Sequence, residues 1–132
     1  MTDPSAVSHT SVSTHILDTS IGRPAEDVAV QLSVRAGGEA PWQDHGAGRT
    51  DADGRCKDLP ALPEGTTHVR LTFTTEPYFT TQQAEAQQDA PRVRDSGAFF
   101  PEVAIVFAVT AGEHYHVPLL LNPFGYSVYR GS

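Results

Sequence analysis

One cysteine, Cys56, stands in 132 residues. An intrachain disulfide is therefore excluded, and a lone thiol fits a reducing compartment such as the cytosol. Basic residues are scarce: nine Lys and Arg against sixteen Asp and Glu leave a net charge of −7 and a pI near 5.2. A nucleic-acid partner would require a clustered basic face, which this balance does not supply. Long apolar runs are missing too, so no stretch is a membrane span. The opening MTDPSAVSHTSVSTHIL has neither the basic region nor the apolar stretch of a secretory signal, and the terminal RGS is not a peroxisomal address. A cytoplasmic protein without membrane or nucleic-acid partners is the expectation. With 39% hydrophobic and 19% charged residues, the chain is globular and not disordered.

What is present is strand chemistry. In VAVQLSVR, Val28, Val30, Leu32 and Val34 share one face, and Gln31, Ser33 and Arg35 take the other. Period-two alternation of this kind marks a half-buried strand. HVRLTFT repeats it with Val69, Leu71 and Phe73, and SVSTHIL and HYHVPLLL are two more strands. VAIVFAV sets Val103, Ile105, Phe107 and Val109 on one face with Ala104 and Val106 behind, which predicts burial on both sides. Between these runs lie Gly, Pro and Asp clusters (IGRPAED, RAGGEAP, TDADGR, LPEGT) that read as short turns. The one helical stretch is YFTTQQAEAQQ, rich in Gln, Ala and Glu. Pattern alone therefore predicts an all-β sandwich with one short helix. Residues 1–10 are small and polar and read as a loose leader, so one domain is expected over 11–132.

Alternation also says which polar residues leave the core. In HYHVPLLL, Tyr115, Val117, Leu119 and Leu121 fall on one side, so His114 and His116 point together on the other. His15 shares a face with Ser13 and Leu17. Two combinations are open. His-x-His with a distant third histidine has the outline of an open three-histidine zinc site, though no cysteine or second cluster supports it. Alternatively, imidazoles titrating near neutrality activate water while a guanidinium, such as that of Arg55 in TDADGRC, holds an anion or developing oxyanion. Cys56 beside it reads as a small strand residue, because nothing basic is arranged to make it a thiolate.

Four stretches, in order, carry a resemblance. STHILDTSIGRPAEDVAVQL, TDADGRC, FFPEVAIVF and HYHVPLLLNPFGYSVYRGS resemble the 5-hydroxyisourate hydrolases, the transthyretin-related proteins of urate breakdown, from about Ser11 to Ser132. The resemblance implies a transthyretin-like sandwich of two four-stranded antiparallel sheets with one short helix. It implies a homotetramer whose sites lie where dimers meet, with no metal or organic cofactor. The small-molecule substrate would be 5-hydroxyisourate, hydrolysed to 2-oxo-4-hydroxy-4-carboxy-5-ureidoimidazoline. By the same resemblance, His15, Arg55 and His116 are the catalytic residues, and His15, Arg55, Tyr129 and Ser132 bind substrate. His116 with His15 would position and deprotonate the water, and Arg55 would hold charge on a substrate oxygen. His114 is expected to be a neighbour, and Tyr115 and Tyr126 read equally as packing residues. The chain would end on such residues because its last strand walls the pocket. The stretch from Gln82 to Gly97 is longer than the family's usual connection and reads as a surface extension. The rival expectation is a non-catalytic, transthyretin-like carrier of a small ligand, which would lack YRGS and these histidines. Fold does not separate the two, because function lives in the site.

Overall fold

The computed structural model describes residues 9–86 and 98–131, with the backbone alone over 82–86. In chain order the strands are β1 (Ser11–Asp18), β2 (Arg23–Pro24), β3 (Ala29–Arg35), β4 (Gln43–Arg49), β5 (Arg55–Cys56), β6 (His68–Thr74), β7 (Glu102–Ala108), β8 (His114–Asn122) and β9 (Gly125–Val128). The helix α1 (Glu76–Ala86) separates β6 from β7.

One sheet runs β4-β3-β6-β7, all antiparallel. The other runs β2-β1-β8-β9, with β5 also paired to β1. The expected sandwich is present, with a single helix among the described residues. In detail this second sheet has five strands and not four, because two short segments, β2 and β5, both attach to β1. It is also not wholly antiparallel, since β1 and β8 run parallel.

The period-two pattern does what alternation requires. Val12, Thr14, Ile16 and Asp18 of β1 turn inward, as do Tyr115, Val117, Leu119 and Leu121 of β8. They meet Val30 and Leu32 of β3 and Val69, Leu71 and Phe73 of β6 across the core. Removing this apolar surface from water is the main stabilising term. The buried Asp18 is satisfied: its Oδ2 accepts from the Tyr78 hydroxyl at 2.7 Å and its Oδ1 from the Ser20 N–H at 2.9 Å and hydroxyl at 2.5 Å. Burial first, and the Asp18 carboxylate second, push the Tyr78 phenol far above its ordinary range. Tyr78 thereby docks α1 on the end of β1.

Two readings change. The expected two-sided burial of VAIVFAV does not hold: Ala104, Val106 and Ala108 are exposed, Val106 to 52%. The strand is β7, an edge of its sheet, and nothing among the described residues covers its outer face. The helix begins at Glu76, ahead of Tyr78, while residues 87 and 88 lie outside the described part. The expected extension 82–97 falls partly in α1, over 82–86, and otherwise outside the described residues, as do residues 1–8 of the leader. No helix among the described residues is long and apolar enough to cross a membrane.

Candidate active site

The register of three strands assembles the polar cluster. Parallel pairing of β1 with β8 sets Ser11 opposite His114, Ser13 opposite His116 and His15 opposite Pro118. On the other edge of β1, β5 sets Arg55 opposite His15 and Cys56 opposite Thr14. Because Thr14 and Cys56 turn into the core, His15 and Arg55 face outward, together with Ser13, His114 and His116. The result is an open cleft of about 450 Å³ lined by Ser13, Thr14, Arg55, Lys57, His114 and His116.

Arg55 reaches this face because of the turn before it. The Asp51 carboxylate accepts the backbone N–H groups of Asp53 at 2.9 Å and Arg55 at 3.0 Å. The Arg55 N–H holds that carboxyl below its usual range, with burial opposing and the Asp53 N–H, Lys57 and the Arg55 charge assisting. Gly54 completes the turn with φ at +76° and donates its N–H to the Asp51 carbonyl at 2.9 Å. Its own carbonyl accepts from the Ile16 N–H at 2.8 Å. A Cβ at Gly54 would run into the Ile16 carbonyl oxygen, so a glycine is needed both for the left-handed backbone and for the approach of β5 to β1.

His116 is half-buried, whereas His114 is exposed. Burial chiefly, then the charges of Arg55, His15 and His114, lower its pKa below the ordinary histidine value. The imidazole is therefore neutral at physiological pH and keeps a lone pair. Its Nδ1 lies 2.9 Å from the Ser13 hydroxyl. That hydroxyl also lies 3.0 Å from His114 Nε2, and the Ser11 hydroxyl lies 2.7 Å from His114 Nδ1. The chain end backs the ring: the Gly131 N–H donates to the His116 carbonyl at 2.7 Å. A neutral imidazole beside a guanidinium can take a proton from water while the cation stabilises the oxyanion that forms. Among the described residues no three His, Cys, Asp or Glu side chains converge as a metal would require. The cations of Arg55 and Lys57 on the same cleft oppose a metal further.

The structure thus brings together His15, Arg55 and His116. Tyr129 is elsewhere: it lines a separate groove of about 280 Å³ with Ile105, Val106, Phe107, Tyr115 and Arg130, and is 56% exposed. Ser132 lies outside the described residues. Sequence reasoning passed over Ser11, Ser13 and Lys57 as members of the cluster. Alternation carried a signal for all three, since Ser11 and Ser13 share the face of His15 and Lys57 that of Arg55. The parallel register that joins Ser13 to both histidines left no local mark.

Comparisons with known proteins show what the chain is similar to. The model of the HIUase/Transthyretin family matches residues 12–131. The 5-hydroxyisourate hydrolase of Salmonella dublin is 38% identical over 92% of this chain and 80% of its own length. The uric acid degradation bifunctional protein TTL of Arabidopsis thaliana is 40% identical over 92% of the chain, which spans only 37% of that longer protein. Among solved structures, the 5-hydroxyisourate hydrolase of Klebsiella pneumoniae superposes with a TM-score of 0.66 at 34% identity, covering 92% of this chain and 98% of that one. Sea bream transthyretin in complex with thyroxine superposes with a TM-score of 0.71 at 28% identity, covering 91% and 93%.

Proposed function

The chain belongs to the HIUase/Transthyretin family, and from that premise we propose that it is an enzyme hydrolysing 5-hydroxyisourate in urate degradation. The product would be 2-oxo-4-hydroxy-4-carboxy-5-ureidoimidazoline. Several relatives over most of the chain bear the name 5-hydroxyisourate hydrolase. The observation that carries the reading is the half-buried His116 on one cleft with Arg55, with His15 opposite Arg55 in the sheet.

The mechanism follows from what each side chain can do. With Nδ1 of His116 engaged by Ser13, Nε2 is the nitrogen left to receive a proton from water. The resulting hydroxide attacks the ring acyl carbon, and the electron pair of the carbonyl moves to oxygen. Arg55 pairs with that oxygen as its charge develops, which is where fixed positive charge lowers a barrier most. Collapse breaks the ring C–N bond, and the His116 imidazolium returns its proton to the leaving nitrogen. His15, opposite Arg55 in the sheet, orients water and substrate. No step requires a metal or organic cofactor.

Tyr129 and Ser132 are assigned to substrate binding through assembly. In this reading residues 11–132 form one domain, and four copies form a homotetramer whose sites are shared across the dimer–dimer interface. Exposed apolar side chains on the two edge strands β7 and β9, Val106 and Tyr126, support such association. So does the position of Tyr129 away from the cleft of its own chain. A cytosolic location is proposed with it. The test is to add the chain to urate and urate oxidase and follow the decay of 5-hydroxyisourate absorbance. Faster decay than the spontaneous rate supports hydrolysis; an unchanged rate leaves the carrier reading, whose fold is the same.

A further inference from the structure

On the outer face of the four-stranded sheet, two guanidiniums share one indole. Alternation turns Val34 and Val69 into the core and leaves Arg35 of β3 and Arg70 of β6 on the other side. Pairing of Val34 with Gln43 brings Trp42, the residue before β4, beside Arg35. The Arg35 guanidinium lies over the Trp42 ring, 4.3 Å from its centroid, and that of Arg70 lies 4.9 Å from the same centroid. The turn that returns the chain to Trp42 is tied to β6. The Gly37 N–H donates to Thr67 Oγ1 at 2.7 Å, and the Thr67 N–H donates to the Arg35 carbonyl at 3.0 Å. Ser33 sits opposite Arg70 in the register and is fully buried although it too points outward, so side chains close over the sheet here.

Packing accounts for one such arginine, whose stem covers the sheet while its head rests on the ring. It does not account for two. The guanidinium carbons are no farther apart than the sum of their distances to the ring, which is inside the screening length of about 10 Å in 0.1 M salt. Like charges at that range repel, and neither arginine has a carboxylate partner among the described residues, whose ion pairs are Arg49–Asp27 and Arg130–Glu113. Asp44, across β3 from Arg70, instead accepts from the Ser33 hydroxyl at 3.2 Å. The Nε atoms of both arginines are buried without a hydrogen-bond partner, so each charge has lost water on its inner edge and gained no acceptor there. The Nη groups are not sealed in this way: they reach solvent and donate to none of the described residues.

We propose that Arg35 and Arg70, aligned by Trp42, bind a phosphate dianion, either the free ion or the phosphoryl group of a larger molecule. Two fixed positive charges call for two negative ones, and the tetrahedral oxygens of phosphate can accept from two Nη forks at once. A single carboxylate would leave one guanidinium uncompensated. With both heads resting on one ring and both inner edges sealed, the cations are ordered before the ligand arrives, and little side-chain freedom is left to lose on binding. The site is on the other sheet from the cleft of Arg55 and His116, so it stands whether or not the chain hydrolyses 5-hydroxyisourate.

Trp42 is the only tryptophan in the chain and reports on the site directly. In the intact protein at fixed pH and ionic strength, inorganic phosphate should change Trp42 emission saturably and raise Tm, while chloride should do neither. Acetate, with one charge, should bind about tenfold more weakly or worse. Glycerol phosphate is titrated beside the free ion: tighter binding of the monoester marks the phosphoryl group of a larger molecule, and equal or weaker binding marks the ion itself. Arg35→Gln and Arg70→Gln should each weaken phosphate binding about tenfold or more. Arg35→Lys and Arg70→Lys keep the stem and the charge, and with them the fold, and should weaken it about three- to tenfold for want of the planar fork. The proposal is overturned if phosphate leaves both readouts unmoved or if acetate matches it. It is equally overturned if the four variants respond as the wild type does, which would put the ion elsewhere, as on Arg55 and Lys57.

Discussion

A methyl group at residue 131 should damage catalysis far more than folding. Gly131 bridges back to β8, and a Cβ built there lies 2.8 Å from Cδ2 of His116 and 3.3 Å from Cδ and Cγ of Pro118. Ordinary contact begins at 3.4 Å, so in Gly131→Ala the ring must retreat by ~0.6 Å or the chain end must lift. Pro118 is buried and its ring cannot swing aside. The imidazole is tethered on its other side by Ser13, so retreat alters the angle at which Nε2 meets water. Displacements of about 1 Å at reacting atoms cost roughly 100-fold, so kcat should fall about 10- to 100-fold.

The backbone itself gives no reason for a larger effect, because Gly131 is not among the glycines with positive φ. The cost in stability should stay near 1 kcal/mol, a shift of roughly 2–5 °C in Tm for a chain of this size. The assay is the urate oxidase-coupled decay of 5-hydroxyisourate, with kcat and KM separated, beside a thermal melt of the same preparation. A Gly131→Ala protein with kcat within about twofold of wild type would refute the idea that the chain end fixes the His116 ring. A melt lowered by more than ten degrees would place the glycine's role in folding instead.

The other predictions are briefer. His116→Asn should lower kcat by about 10²–10⁴-fold with little change in KM, whereas Arg55→Ala should impair both, since a guanidinium on a substrate oxygen contributes before and during the transition state. Arg55→Ala should also raise the pH of the acid limb, because the Arg55 charge is one cause of the lowered His116 pKa. Folded His116 binds its proton less readily than the unfolded chain, whose histidines titrate near 6.5, so stability should be unaffected above about pH 6.5 and decline below it. Urea denaturation at neutral and mildly acidic pH should show that decline, and His116→Asn should reduce it. Tyr78→Phe removes the phenol from the buried Asp18 carboxylate while Ser20 keeps its two contacts, and a loss of about 2 kcal/mol is expected from the same denaturation curves.

Legibility in the sequence followed periodicity. β1, β3, β6, β7 and β8 each carry apolar side chains at alternate positions, and each lies within a residue or so of where that pattern sets it. β4 escaped because QDHGAGR has no apolar alternation at all. Its shape is dictated by neighbours, with Gly46 lying against Pro60 and Gly48 against the Cys56 sulfur, where any Cβ would collide. β9 is four residues long and attaches only through β8. Val106 misled for the opposite reason: its apolar side chain promised burial, but an edge strand leaves its outer face open. The cluster behaved similarly. His114 and His116 could be set on one face by counting, whereas their meeting with Ser13 and Arg55 depends on contacts more than a hundred and some forty residues apart along the chain. Motif resemblance reached Arg55 and His15 where spacing did not.

The division between the two faces of the five-stranded sheet explains how one sandwich can serve both a hydrolase and a thyroxine-binding relative. On β1 and β8 every second side chain belongs to the core, and Val12, Ile16, Val117 and Leu119 are all buried. The intervening positions carry Ser13, His15, His114 and His116 and lend the core almost nothing. Substitutions at those positions can therefore replace the chemistry while leaving the inner face intact. The coupling is looser in the other direction as well. Core substitutions reach the site only through strand register, and β1·β8 pairing over eight residue pairs resists a slip, since a shift by one would turn every histidine inward. Arg55 is the exception. It hangs on a two-residue strand and a glycine turn, so the cation is the part of this site that the fold holds least redundantly.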